Sequence, residues 1–315
     1  MRGGKGIALR LAAAALLAAL ASDSTLAADV IPGTCGLTRL INLEMRTDPD
    51  GLIAIPAAID DMPILLTVDT GAIHSAISAR VADQLHLVRD RSSVTYTLPG
   101  GVQMTQMAYS HSFRLGALSA GRLGLMVAPT EALHPDSDGM LGSDALNFYD
   151  VEIDYAGGHF ALFSQTHCPG QVVYWTHQTY AKVPMHVDRN WHISVPITLD
   201  GKKIDAYIDT GAEHSTMSLA AARELFGLNE HDTSLARVEG VTINGMGSAT
   251  IFHRPFAALQ LEGIAVTNPD IDIIDEKDLG KDAPKLIVGA GVLRQLHIYL
   301  AYREQTLYAT NAEAR

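Results

Sequence analysis

Two stretches of this chain alternate apolar and polar positions in the same way. Residues 52–79 read LIAIPAAIDDMPILLTVDTGAIHSAISA, and residues 192–219 read HISVPITLDGKKIDAYIDTGAEHSTMSL. They align without a gap at an offset of 140, with Ile53/Ile193, Pro56/Pro196, Asp60/Asp200, Ile64/Ile204 and an Asp-Thr-Gly-Ala run coinciding. In each copy a period of two predicts a strand, a polar pair (Asp60-Asp61 or Asp200-Gly201) predicts a tight turn, and a second apolar run completes a β-hairpin. Ser78 and Ser218 then precede short helical patterns, Ala79 to Leu87 and Leu219 to Leu225, where a serine hydroxyl can cap the first turn.

The repetition continues further along. Gly139-Met140-Leu141-Gly142 and Leu286-Ile287-Val288-Gly289 open matching stretches at an offset of 147, with Leu146/Leu293, Val151/Ile298, Ile153/Leu300 and Tyr155/Tyr302 in step. Each reads as a glycine turn, one turn of helix and a strand. Between the two parts of each copy lies a further hairpin: Tyr96–Met107 around Pro99-Gly100-Gly101, and Val241–Phe252 around Asn244-Gly245, a dipeptide suited to a two-residue hairpin turn. The chain is therefore expected to be mostly β, a tandem duplication with lobes at 28–165 and 184–315 joined by a linker at 166–183.

Composition agrees with two domains in 315 residues, 47% of them hydrophobic and 18% charged. The formal net charge of −12 argues against nucleic acid or an anionic membrane surface as a partner, since both call for a basic patch. Two cysteines exclude a disulfide-dense scaffold and any multi-cysteine metal site.

The first 27 residues stand apart. Arg2, Lys5 and Arg10 precede or enter an apolar run from Ile7 to Ala21, and Thr25-Leu26-Ala27 offers small residues for a cleavage site. That is the anatomy of a signal peptide, 1–27, although an uncleaved anchor is the alternative. The run from Leu11 to Ala21 is short of the about 20 residues that span a bilayer. Export to the periplasm or beyond is thus expected, leaving a still more acidic chain with no membrane contact. In an oxidising compartment Cys35 and Cys168 form a candidate disulfide tying the N-terminal arm to the linker, the alternative being two separate thiols.

The repeated Asp-Thr-Gly carries the chemistry. A carboxylate at the end of an apolar strand, followed by a glycine, sits on a loop that another chain segment can approach closely. If the copies pack symmetrically, Asp69 and Asp209 meet. Two carboxylates about 3 Å apart cannot both ionise, so they share one proton and offer a base and an acid together. Such a pair can draw a proton from water and deliver one to a carbonyl oxygen, which suffices for amide hydrolysis without a metal or other cofactor.

Asp69-Thr70-Gly71-Ala72-Ile73-His74-Ser75 and Asp209-Thr210-Gly211-Ala212-Glu213-His214-Ser215 resemble the signature of retropepsin-like aspartic proteases of the pepsin clan. Met140-Leu141-Gly142 and Ile287-Val288-Gly289 resemble the second hallmark of that family, and the likeness covers nearly the whole chain after residue 27. It implies two tandem retropepsin-like β-barrel lobes with short helices, related by a pseudo-two-fold axis. It further implies a catalytic pair Asp69 and Asp209, loops braced by Thr70, Thr210, Ser75 and Ser215, and substrate contacts from Gly71, Gly211, Ala72, Ala212, Ile73, Glu213, His74 and His214. The two hairpins would be flaps over an extended polypeptide substrate, with Gly100, Gly101, Asn244 and Gly245 at their tips.

Both copies stand on one chain, so a monomer is possible. Ile73 opposite Glu213 predicts unequal half-sites. The repeated histidines are read as subsite lining and not as metal ligands, Asp60 and Asp200 as turn formers, and Trp175 and Trp191 as packing residues. Competing readings are a non-catalytic peptide binder on the same fold, active sites formed only between chains, and latency through residues 28–50.

Overall fold

Alternation along the chain becomes hairpins whose apolar sides face inward. In a computed structural model that describes residues 28–98, 101–243, 246–275 and 284–313, Ile53–Ile59 pairs with Met62–Val68, Ile55 lying opposite Leu66. Ile193–Leu199 pairs with Lys202–Ile208 in the same register, Val195 lying opposite Ala206. Ile53, Ile55, Ile59, Val68, Ile193, Val195, Leu199 and Ile208 are all buried. The expected signal peptide and the flap-tip residues Gly100, Asn244 and Gly245 lie outside the described residues.

Both tight turns form where the polar pairs predict them. Asp60 and Asp61 have φ of 47° and 63°, Asp200 and Gly201 φ of 45° and 78°, a left-handed geometry that matches strand twist. The first aspartate of each turn also serves the neighbouring strand. Asp60 Oδ1 accepts the N–H groups of His111 and Ser112 at 2.8 and 2.7 Å, and Asp200 Oδ1 those of Ala257 and Ala258 at 2.8 and 3.0 Å.

The serine-capped helices are Ala79–Gln84 and Leu219–Phe226, the first shorter than its pattern because His86 turns left-handed at φ 50°, and single helical turns follow Gly142 and Gly289 at Ser143–Leu146 and Ala290–Leu293. Both serine caps form: Ser78 Oγ accepts the Val81 N–H at 3.2 Å and Ser218 Oγ the Ala221 N–H at 3.1 Å. The hairpins expected to be flaps are longer than the sequence suggests, Val88–Thr97 with Gln103–Ser110 and Ala236–Ile243 with Met246–His253. Val88–Thr97 is exposed along most of its length and has no buried face to leave a period of two.

Each lobe is built on a ten-stranded sheet. The strands Gly139–Leu141 and Leu286–Val288 are threaded between the second hairpin strand, to which they run parallel, and Ala76–Ser78 or Ser215–Ser218, to which they run antiparallel. These sheets are open, which corrects the expectation of closed barrels. One ends at Leu118–Ala120 and Val88–Thr97, the other at Ala236–Ile243 and Ile264–Thr267. A largely exposed end strand such as Val88–Thr97 has no apolar face that closure would bury.

A third sheet of seven strands belongs to both lobes. At its middle Asp150–Asp154 runs antiparallel to Leu296–Ala301, Val151 facing Leu300 and Ile153 facing Ile298. The arm strand Thr38–Glu44 lies at this sheet, beside His159–Phe163. The stretch 166–183, expected as a linker, is packed on it. Val172 is buried beside Phe163, Tyr299 and Tyr308, and residues from Ala181 enter a strand. Trp175 stacks on His297 at 4.2 Å between ring centres, whereas Trp191 is 44% exposed and does not pack as expected. Cys35 and Cys168 are joined in a disulfide, their Cα atoms 5.4 Å apart.

Ionisable groups are buried at the same sheet. His167 Nε2 lies 2.6 Å from Asp150 Oδ2, and its Nδ1 3.5 Å from Glu304 Oε1. His297 Nε2 lies 2.9 Å from Glu152 Oε1. Burial pushes the Asp150 carboxyl up to about 6 despite its histidine partner.

Candidate active site

Two threonines join the Asp-Thr-Gly loops of the two lobes. Thr70 Oγ1 donates to the Ile208 carbonyl at 2.7 Å and accepts the Thr210 N–H at 3.1 Å. Thr210 Oγ1 donates to the Val68 carbonyl at 2.7 Å and accepts the Thr70 N–H at 3.1 Å. Both side chains are fully buried, so each hydroxyl satisfies two backbone groups that have no access to water.

This mesh sets the two aspartates face to face. Asp69 Oδ1 accepts the N–H groups of Gly71 and Ala72 at 2.9 and 2.8 Å, and Asp209 Oδ1 those of Gly211 and Ala212 at 2.9 and 3.1 Å. The carboxyls hydrogen-bond to each other. Glycine is required at 71 and 211: a Cβ on either would collide with the opposite lobe's aspartate carboxylate. The threaded strands hold the loops from beneath, Leu141 O accepting the Asp69 N–H and Val288 O the Asp209 N–H, both at 3.0 Å.

Burial and the neighbouring Asp209 charge push the Asp69 carboxyl up to about 8. Burial also raises Asp209, against the N–H donors of Gly211 and Ala212 and the charge of His192, which lower it. Desolvation penalises the second negative charge, so burial and the partner's charge together favour a proton held between the two carboxyls.

The remaining expected residues surround this centre unequally. Ser75 Oγ accepts the Gly142 N–H at 3.0 Å and donates to Asp144 Oδ1 at 2.7 Å, and Ser215 Oγ accepts the Gly289 N–H at 3.0 Å. The carbonyls of Ala72 and Ala212 accept the N–H groups of Ser143 and Ala290 at 2.8 and 2.7 Å. Ile73 is half-buried and Glu213 exposed. His74 packs against Tyr96 of the first flap hairpin at 4.1 Å and lies 3.4 Å from Asp144, whereas His214 is exposed and contributes to the field at Asp272. Gly101 closes the first hairpin with φ 86°, its N–H donating to the Leu98 carbonyl at 3.0 Å.

One residue in this centre escaped the sequence reading. His192 Nε2 donates to the Gly71 carbonyl of the other lobe at 3.1 Å, and its ring lies close enough to Asp209 to lower that carboxyl. The only signal was a mismatch in the repeat, since His192 aligns with Leu52.

Residues 55–145 and 195–292 both match the family described as aspartyl protease, and together they make up more than half of the chain. The chain belongs to the aspartyl protease family. The two tandem matches bear out the resemblance first read from the repeated Asp-Thr-Gly, and with it the mostly β, two-lobed fold of this aspartyl protease family member. Among solved structures it is similar to the crystal structure of basic 7S globulin from soybean, with a TM-score of 0.54 over 88% of this chain and 96% of that one. At 9% identity that likeness speaks for the fold alone. No curated protein matches the chain in sequence.

Proposed function

We propose that this member of the aspartyl protease family is an exported aspartic endopeptidase whose catalytic pair is Asp69 and Asp209. The observation that carries the reading is the two-fold hydrogen-bond mesh of Thr70 and Thr210, which holds two proton-sharing carboxyls in contact from two halves of one chain. The ionised carboxylate accepts a proton from water as the water oxygen attacks the peptide carbonyl carbon. The protonated partner gives its proton to the carbonyl oxygen, and a neutral tetrahedral diol results. The first aspartate then gives the proton taken from water to the amide nitrogen while the second takes a proton back from a diol hydroxyl, so the C–N bond breaks to give a carboxylic acid and an amine and the pair is restored, with no metal or other cofactor taking part. An extended polypeptide is the substrate, lying between the two flap hairpins, which exclude water and add backbone contacts.

Because the lobes pair within one chain, a monomer suffices. Export is supported by the composition of residues 1–27 and by the Cys35–Cys168 disulfide, a bond that persists in oxidising compartments. The test is cleavage of a denatured protein by the full chain and by Asp69→Asn and Asp209→Asn. Both variants should lose all measurable turnover, and full activity in either would rule out the shared pair.

A further inference from the structure

Each lobe carries a row of four residues across neighbouring strands. In the first lobe Met140 lies opposite Ala76, Ala76 opposite Met126, and Met126 opposite Met107. In the second Ile287 lies opposite Thr216, Thr216 opposite Asp272, and Asp272 opposite His253. Residues directly opposed on adjacent strands project from the same face of a sheet. The repeat makes the two rows equivalent, one per lobe.

The first row, whose Ala76, Met126 and Met140 are buried, packs beside the first aspartate loop. It shares an apolar cluster with Met104, and Ala72, Tyr96 and Leu98 pack against it. Ala72 is the residue whose N–H binds Asp69, and Tyr96 and Leu98 come from the first flap hairpin and its turn. The row therefore runs between the aspartate loop and the flap. Methionine is flexible and polarisable, so such a wall accepts varied bulky apolar groups.

On the second row an aspartate replaces Met126. Asp272 is 6% exposed, with Thr216, Ile287 and His253 half-buried around it. Its Oδ1 lies 2.8 Å from His253 Nδ1. Asp270 adds a second carboxylate, the three groups having atoms within 4.8 Å of one another. Burial raises the Asp272 carboxyl, Asp270 raises it further, and His253 and His214 oppose the rise. A buried carboxylate gains most from a cation that arrives with its own hydrogen-bond donors.

We propose that the two sides of the cleft select opposite chemistry: the methionine-lined row of the first lobe takes a bulky apolar side chain on one side of the scissile bond, and Asp272 in the second lobe takes a lysine or arginine on the other. This rests on the proteolytic reading above. Asp272 is then the residue that determines specificity for a basic side chain, and the two half-sites differ because the repeat has diverged at that position.

The test uses peptides with a fixed apolar residue on one side of a central bond and lysine, norleucine or glutamate on the other, together with the reversed set. Products identify the side on which the basic residue is taken. The full chain should prefer lysine to norleucine in kcat/KM, and Asp272→Asn should lower that ratio by about 30-fold or more. Met126→Ala should weaken selection on the apolar side and leave the lysine-to-norleucine ratio in place. A merely structural role for Asp272 would depress all peptides alike, so an unchanged ratio in folded Asp272→Asn overturns the proposal, as does a full chain that favours norleucine. If the full chain cleaves no peptide, the proteolytic reading fails separately. The pocket is then read from equilibrium binding of the same peptides, where a lysine preference lost in Asp272→Asn supports it and equal or absent binding overturns it.

Discussion

Replacing Thr210 with valine keeps the shape of the side chain and removes one hydroxyl. That hydroxyl donates to the Val68 carbonyl at 2.7 Å and accepts the Thr70 N–H at 3.1 Å, in a place fully shut off from water. Thr210→Val leaves both backbone groups buried without partners. Each such loss costs about 1–3 kcal/mol, so the variant should be less stable by about 2–6 kcal/mol, a large share of a total that is about 5–15 kcal/mol for most domains. Thr210→Ser keeps both bonds and should lose no more than about 1.5 kcal/mol for its missing methyl group. Urea unfolding followed by fluorescence measures both variants, with the slope checked because weaker coupling between lobes can separate one transition into two. The double variant with Thr70→Val should lose less than the sum of the single changes, since water entering at the first break already solvates groups freed by the second. Cleavage should fall with stability restored by lower temperature, because the aspartates lose their alignment. If Thr210→Val unfolds within about 0.5 kcal/mol of the unaltered chain and retains its activity, the mesh does not hold the lobes together.

Two further outcomes follow from the geometry. Asp69 is held up to about 8 in the folded chain against an ordinary carboxylate value of 3.8, so the folded state binds a proton that the unfolded state releases. The stability from that proton is fully present below about 4 and is lost as pH rises towards about 8. Urea midpoints at several pH values should therefore show a smaller decline between pH 4 and 8 in Asp69→Asn than in the unaltered chain, and an equal decline would contradict a shared buried proton. The Cys35–Cys168 disulfide closes a loop with a sequence separation of 133, for which chain entropy gives about 5 kcal/mol at most. Cys35→Ser with Cys168→Ser should lower the melting temperature measurably by calorimetry, and no shift would mean that the arm and the stretch after 165 are held by packing alone.

Elements whose signal is local were legible in advance. A period of two over seven residues marked the paired hairpin strands, polar pairs marked their turns, and Ser78 and Ser218 marked the helix starts. The flap hairpins were legible only at their tips, because a strand such as Val88–Thr97, exposed along most of its length, has no need of an apolar period. The shared seven-stranded sheet was not foreseen as a common layer, although its middle strands had been matched in the repeat. Its buried pairs, His167 with Asp150 and His297 with Glu152, join residues 17 and 145 positions apart in surroundings that no neighbouring sequence describes.

The sequence by itself therefore determined the duplication, the two Asp-Thr-Gly loops and the membership of the aspartyl protease family, because each is written in contiguous residues and their spacing. Only the tertiary structure decided that the sheets stay open, that His192 reaches the carbonyl of Gly71, and that Asp272 occupies the place which Met126 holds in the other lobe. The physical reason is distance along the chain. Hydrogen bonds across 121 or 140 positions and the burial of a single carboxylate are properties of packed lobes, and a residue's neighbours in sequence do not report them.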